Sequence, residues 1–210
     1  MTTINRRALM ALAATLAAAP AFAQEAAAPA AEGTAAPVKD FALGDPNAPI
    51  KIVEWASYTC PHCAAFHANV YADLKKNYID TGKVHFTLRE VYFDRYGLWA
   101  ALIARCGGDM KYFGISDMLF AQQQDWAAAA DPTQVVAKLR TIGLTAGLTN
   151  EQLDACLADA AQVDALVAHF ESGMQEAQIE GTPTLIIDGE KHGNMSYADL
   201  AAILDAKLGG

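Results

Sequence analysis

Four cysteines in 210 residues are too few for a disulfide scaffold, so their spacing carries the information. Cys60 and Cys63 close the motif Cys60-Pro61-His62-Cys63, which follows an apolar, β-branched run and opens a segment with helical periodicity. That placement puts Cys60 near a helix N-cap and Cys63 inside the first turn. A helix start presents unpaired backbone N–H groups and about half a positive charge, both of which favour a thiolate at Cys60. Pro61 suits the first helical position, where no N–H is needed, and His62 brings a further donor or cation beside the sulfur. Cys63 is expected to be deeper and less acidic. Whatever stabilises the thiolate stabilises the dithiol, which makes the disulfide a stronger oxidant by ~1.4 kcal/mol, or ~30 mV, per pKa unit. The expected chemistry is donation of a disulfide.

Other uses of a Cys-x-x-Cys pair fit less well. Attachment of a c-type haem requires histidine directly after the second cysteine, where Ala64 stands. Zinc would need to recruit His67 beside Cys60 and Cys63, and no second Cys-x-x-Cys or histidine pair lies near in sequence. A purely structural disulfide has no use for a strand-to-helix junction. Neither a metal nor a cofactor is expected.

The elements that must position the motif follow from periodicity. Ile50 to Ala56 reads as a buried strand, Phe66 to Tyr78 as a helix with apolar residues at 66, 70, 74 and 78, and Val84 to Val91 as a second strand. From about Tyr96 to Ile179 no strand signal appears. Helical stretches there are punctuated by Gly107-Gly108, Asp131-Pro132, Gly143 and Gly147, with a helix start at Thr149 to Gln152. Thr184 to Asp188 is a strand, Gly189 to Gly193 a turn region and Tyr197 to Leu208 a closing helix. The order βαβ, helical block, ββα implies an α/β sheet domain, 38–95 with 180–210, carrying an all-helical insertion over 96–179. Trp55, Trp99 and Trp126 are expected in the core or lining a groove, and His85, His169 and His192 are expected to be structural.

Residues 1–23 combine Arg6-Arg7, an apolar run and Ala21-Phe22-Ala23, the pattern of a secretory signal peptide cut after Ala23. The run is well short of the ~20 residues that span a bilayer. The arginine pair touches on a twin-arginine signal, but the residue before it is atypical, which favours ordinary export. Either route leads to a compartment where disulfides persist, in a bacterium the periplasm. Residues 24–37 are a flexible Ala/Pro-rich lead-in without a heptad pattern. With 53% hydrophobic and 19% charged residues the chain folds around a core, and its net charge of -9 repels phosphate, so nucleic acid is a poor partner.

The Cys60-Pro61-His62-Cys63 motif, Gly181-Thr182-Pro183 before the late strand, and the helical block between them resemble the DsbA-like branch of the thioredoxin superfamily. The resemblance covers about Val38 to Leu208 and implies a thioredoxin-like fold, a central mixed sheet flanked by helices. It implies a periplasmic dithiol oxidase in which Cys60 is the exposed, attacked sulfur and Cys63 its resolving partner. Its clients would be newly exported proteins with reduced cysteines, and a DsbB-like membrane oxidase would reoxidise it. It also implies that Glu54, which from the residues alone fits a charge at a solvated strand end equally well, lies beneath the disulfide and handles protons for Cys63, and that Thr182-Pro183 is a cis peptide facing Cys60 on which an extended client can pair. His67, where relatives can carry an acid, departs from the pattern. Cys106 and Cys156 either pair or stay as buried thiols; some DsbA-like proteins carry a second disulfide between helices, and the same is expected here. A disulfide isomerase or reductase, and a non-catalytic folding chaperone, are the competing functions.

Overall fold

The protein is described by a computed structural model over residues 38–209. The expected signal peptide and the Ala/Pro-rich segment, residues 1–37, lie outside the described residues. No helix among the described residues is long and apolar enough to cross a membrane.

Among the described residues five strands form one sheet in the order β1-β3-β2-β4-β5: β1 (Phe41–Leu43), β2 (Ile50–Ala56), β3 (Val84–Glu90), β4 (Thr184–Ile187) and β5 (Glu190–His192). β2 and β3 are parallel and the other neighbours antiparallel, so the sheet is mixed. β2 lies at its centre, which explains its nearly continuous apolar character. β1 is an addition to the sequence reading. Three residues are too few for a period-2 signal, and the strand is held by pairing to β3 and by Phe41 stacking on Tyr112 at 4.0 Å.

The crossover between β2 and β3 begins as α1 (Pro61–Phe66). It continues without a break through a π segment (His67–Tyr71), α2 (Ala72–Leu74) and a second π segment (Lys75–Ile79). The apolar spacing explains the widening. An i+4 repeat drifts by about 40° per step on an α-helix of 3.6 residues per turn. Wider π turns take up that drift, and Phe66, Val70, Leu74 and Tyr78 all stay buried.

Six helices stand between β3 and β4: α3 (Arg95–Cys106), α4 (Gly108–Ala121), α5 (Gln123–Ala127), α6 (Pro132–Thr145), α7 (Asn150–Ala158) and α8 (Ala160–Glu176). Their starts obey local chemistry. Asp94 accepts from the Tyr96 and Gly97 N–H groups, and Thr149 forms a capping box with Gln152. α9 (Tyr197–Lys207) closes the fold. The helical block is pinned to the sheet by a buried pair, Arg105 on α3 with Glu90 on β3, which also accepts a 2.7 Å bond from the Tyr112 hydroxyl. α8 returns across Trp55 at Gly173, where a Cβ would stand 2.7 Å from the indole.

Cys106, at the end of α3, is joined to Cys156 on α7 by a disulfide with Cα atoms 5.9 Å apart. The bridge spans 50 residues of sequence, and closing such a loop stabilises a fold by ~4 kcal/mol in the chain-entropy model. The double replacement Cys106→Ala, Cys156→Ala is expected to lower unfolding free energy by about that amount while leaving the alkylation rate of Cys60 unchanged. Urea titration beside a thiol-labelling time course checks both halves, and a large change in labelling would show that the bridge also tunes the motif.

Candidate active site

Cys60 stands at the N-cap of α1 with extended backbone (φ -81°, ψ 118°), and Pro61 occupies the first helical position. Its position follows from the end of β2: Ala56 finishes the strand, and the Cys60 N–H bonds to the Ser57 carbonyl at 3.1 Å to close a tight turn. Both sulfurs are thiols in this structure. Cys60 keeps 9% accessibility and Cys63 none, so the contrast between an exposed and a buried sulfur is one of degree.

Their chemistry diverges more than their exposure. The Cys60 pKa is lowered to about 5, chiefly by the hydrogen bond from the Cys63 thiol, against the opposing effect of burial. The Thr182 hydroxyl, although short of hydrogen-bond geometry, and the Cys63 and His62 backbone N–H groups lower it further. His62 thus acts through its main chain; its exposed ring is not among the causes. Cys63 is pushed far up, first by the same hydrogen bond, then by burial and by the Glu54 carboxylate.

Thr182 meets Cys60 from the turn before β4. Its carbonyl accepts from the Cys60 thiol at 3.4 Å, and the Thr182–Pro183 peptide is cis. Behind the helix, Glu54 on β2 is wholly buried and its Oε2 lies 3.0 Å from His67 Nε2. The second carboxylate oxygen, Oε1, has no partner, and neither has His67 Nδ1. His67 is therefore turned to Glu54 rather than joined with the cysteines as a zinc ligand. Among the described residues no group of three or more His, Cys, Asp or Glu is arranged to hold a metal ion.

Trp55 and Trp126 are buried and Trp99 is half-buried against the core. His169 Nε2 lies 3.1 Å from Asp40, while His192 stands 3.8 Å from Glu190. His85 is partly buried, and that burial together with Lys51 lowers its pKa.

Sequence reasoning missed Gln123. Its buried side-chain amide, on α5, donates to the Tyr58 carbonyl at 2.8 Å and the Cys60 carbonyl at 2.9 Å, so the helical insertion holds the motif's loop by its main chain. A glutamine in a polar run, Gln122 to Gln124, gives no sign of burial. Gln123→Ala leaves the Tyr58 carbonyl without its donor in a buried site, and is expected to destabilise the protein by about 1–3 kcal/mol. Unfolding in urea is the check, and a stability equal to wild type would mean that the clamp holds nothing.

A helix-opening Cys-x-x-Cys beside the turn into an antiparallel strand, on a mixed sheet interrupted by helices, defines a thioredoxin-like dithiol protein. The comparisons agree. The family model described as thioredoxin matches residues 37–206, and the chain belongs to that family. A Rickettsia bellii protein named "Putative protein-disulfide oxidoreductase" is 32% identical over 170 residues, covering 80% of this chain and 64% of the relative. The chain thus spans just under two thirds of that relative's length. The crystal structure of Wolbachia pipientis α-DsbA1 superposes with a TM-score of 0.76 at 29% identity, covering 81% of this chain and 92% of the other. A Novosphingobium aromaticivorans structure titled as a protein-disulfide isomerase reaches 0.72 at 26% identity, with 81% and 98% covered. These neighbours have the thioredoxin-like, DsbA-type fold expected from the motif pair and the helical block.

Proposed function

We propose that this protein is a dithiol oxidase that donates a Cys60–Cys63 disulfide to cysteine pairs of exported proteins. The observation that carries the reading is the opposed chemistry of the two sulfurs. One is held toward thiolate at about 5, and the other, without exposure, is held as a thiol. A client thiolate attacks Cys60 Sγ, the S–S bond breaks, and Cys63 Sγ leaves with the electron pair and takes up a proton. A second client thiolate then attacks the client sulfur of the mixed disulfide and expels Cys60 as a stable thiolate. The client leaves oxidised and the protein reduced.

Glu54 exchanges a proton with Cys63, a reading supported by the effect of its charge on that sulfur. The Thr182 main chain, beside Cys60, is the edge on which an extended client segment pairs, with Pro183 shaping the turn. Export to the periplasm rests on the leader pattern of residues 1–23, and reoxidation by a DsbB-like membrane partner rests on the DsbA-like resemblance. The experiment is a glutathione-buffer titration of the mature protein with a parallel assay on a reduced protein substrate. A potential well above the glutathione couple with rapid substrate oxidation is the expected result. A reducing potential with activity only on mispaired disulfides would assign an isomerase or reductase, and folding activity that survives thiol blocking would assign a chaperone.

A further inference from the structure

Disulfide donation leaves a sulfur that must gain a proton where water does not reach. Cys63 has no exposure, and Glu54, the acid acting on it, has none either. His67 connects this buried pair to an opening. Its ring lines a pocket of about 550 Å³ between the α1 crossover and α4, together with Pro61, Tyr71, Asp117 and Phe120. One ring nitrogen, Nε2, is 3.0 Å from Glu54 Oε2, while the other, Nδ1, is buried and has no protein partner. Tyr71 lines the same pocket, and its hydroxyl is likewise buried and unpartnered. Neither atom is reached by solvent in this structure; as buried, unpartnered polar atoms on residues that line the pocket, they are of the kind that a hydrogen-bonded water satisfies.

We propose that His67 is the proton relay between this pocket and the Glu54–Cys63 pair, working through its two ring nitrogens. The proposal rests on the oxidase reading above. When Cys63 leaves as a thiolate, His67 Nε2–H passes its proton to the Glu54 carboxylate, Glu54 hands it on to Cys63, and Nδ1 takes a proton from water in the pocket. One proton has moved from solvent to Cys63. When the dithiol is reoxidised, Cys63 must shed that proton, and the same three transfers run backwards. The imidazole returns to its first tautomer, so the cycle closes without rotation of the ring. That matters because the ring is clamped: Phe120 stacks on it at 3.9 Å with an interplanar angle of 20°, and Tyr71 lies against it at 4.5 Å.

The titratable groups around His67 come from every neighbouring element. Glu54 faces it from β2 and Tyr71 from its own π segment. Lys75 from the next π segment and Asp117 from α4 line the same pocket, and Cys63 lies beyond Glu54 on α1. Burial raises the pKa of the Asp117 carboxyl, while His67 and Lys75 pull it down. An acid at residue 67 would place two carboxyls against each other; a histidine instead pairs with Glu54 and keeps a second ring nitrogen free of protein partners.

The test is single-turnover oxidation of a reduced peptide substrate by the oxidised full-length mature protein between pH 5 and 8. His67→Gln keeps a polar side chain but cannot relay a proton. Its turnover should fall about 100-fold, the low end of what positioned proton transfer supplies, at every pH in that range. Cys60 alkylation should stay at the wild-type rate. His67→Ala should be equally slow, with saturable rescue by added imidazole, which the enlarged pocket admits. Wild-type rate and pH profile in His67→Gln, or no rescue in a folded His67→Ala, would overturn the relay. Glu54→Gln run alongside separates the two levels. A slow Glu54→Gln with a normal His67→Gln removes the relay alone, whereas failure of the wild-type protein to oxidise the peptide removes the parent reading.

Discussion

Cys60→Ser is expected to abolish client oxidation, whereas Cys63→Ser should retain a reactive thiolate and accumulate mixed disulfides. The asymmetry follows from which sulfur a client reaches and which one leaves. Cys60 is at the N-cap, is the only one of the two with any accessibility, and is stabilised as an anion. Without it no intramolecular disulfide exists to donate and no anionic sulfur is presented. Without Cys63 the Cys60 thiolate still attacks a disulfide-bonded client, forming one S–S bond and releasing a client thiolate, but nothing within the protein resolves the adduct. Part of the Cys60 stabilisation is lost as well, because the Cys63 thiol is the largest single cause of its low pKa. Alkylation of Cys63→Ser should therefore need higher pH than wild type. Non-reducing electrophoresis after incubation with an oxidised client reads the adducts, and adducts on Cys60→Ser in place of Cys63→Ser would reverse the assignment.

The reduced protein is expected to gain stability over the oxidised one as pH rises from about 5 toward 9. Cys60 titrates at about 5 when folded, against an ordinary value of 9. A lowered pKa stabilises the folded dithiol fully above the unfolded value and not at all once pH falls below the folded one. At pH 7 the gap is about two units, or about 2–3 kcal/mol, equivalent to about 60 mV in the potential of the couple. The disulfide form has no such group at this site, so the slope belongs to the dithiol alone. Loop closure by the disulfide also constrains the unfolded chain, but that effect does not vary with pH. Urea unfolding of both redox forms at pH 4, 5, 6, 7 and 8 measures the difference. Parallel stability curves for the two forms would mean that the Cys60 thiolate contributes no driving force for oxidation of clients, and Cys60→Ala should flatten the reduced curve.

Much of this was legible in sequence because the signals are local. A helix N-terminus polarises whatever stands at its cap, so Cys60-Pro61-His62-Cys63 behind a β-branched strand already states which sulfur becomes anionic. The strands Ile50–Ala56 and Val84–Glu90, and the capping box at Thr149, are readable for the same reason: their chemistry is complete within a few residues. Glu54 could be placed on a strand by counting, but whether its carboxyl met water or protein depended on packing, including His67, thirteen residues on within the crossover. Which causes set the Cys60 pKa also lay outside local reasoning. The helix start was expected to dominate with help from the His62 ring; the Cys63 thiol leads instead, the ring is not involved, and a threonine 122 residues on adds its share. Gln123 carried no sequence signal, because its burial is decided by the docking of α5 on the loop and not by its neighbours in the chain. Local order along the chain thus determined the reactive motif and the elements that carry it. Long-range packing decided how far each sulfur is driven, which carboxyl is buried and where its protons can go, since burial and hydrogen-bond partners belong to the folded chain as a whole.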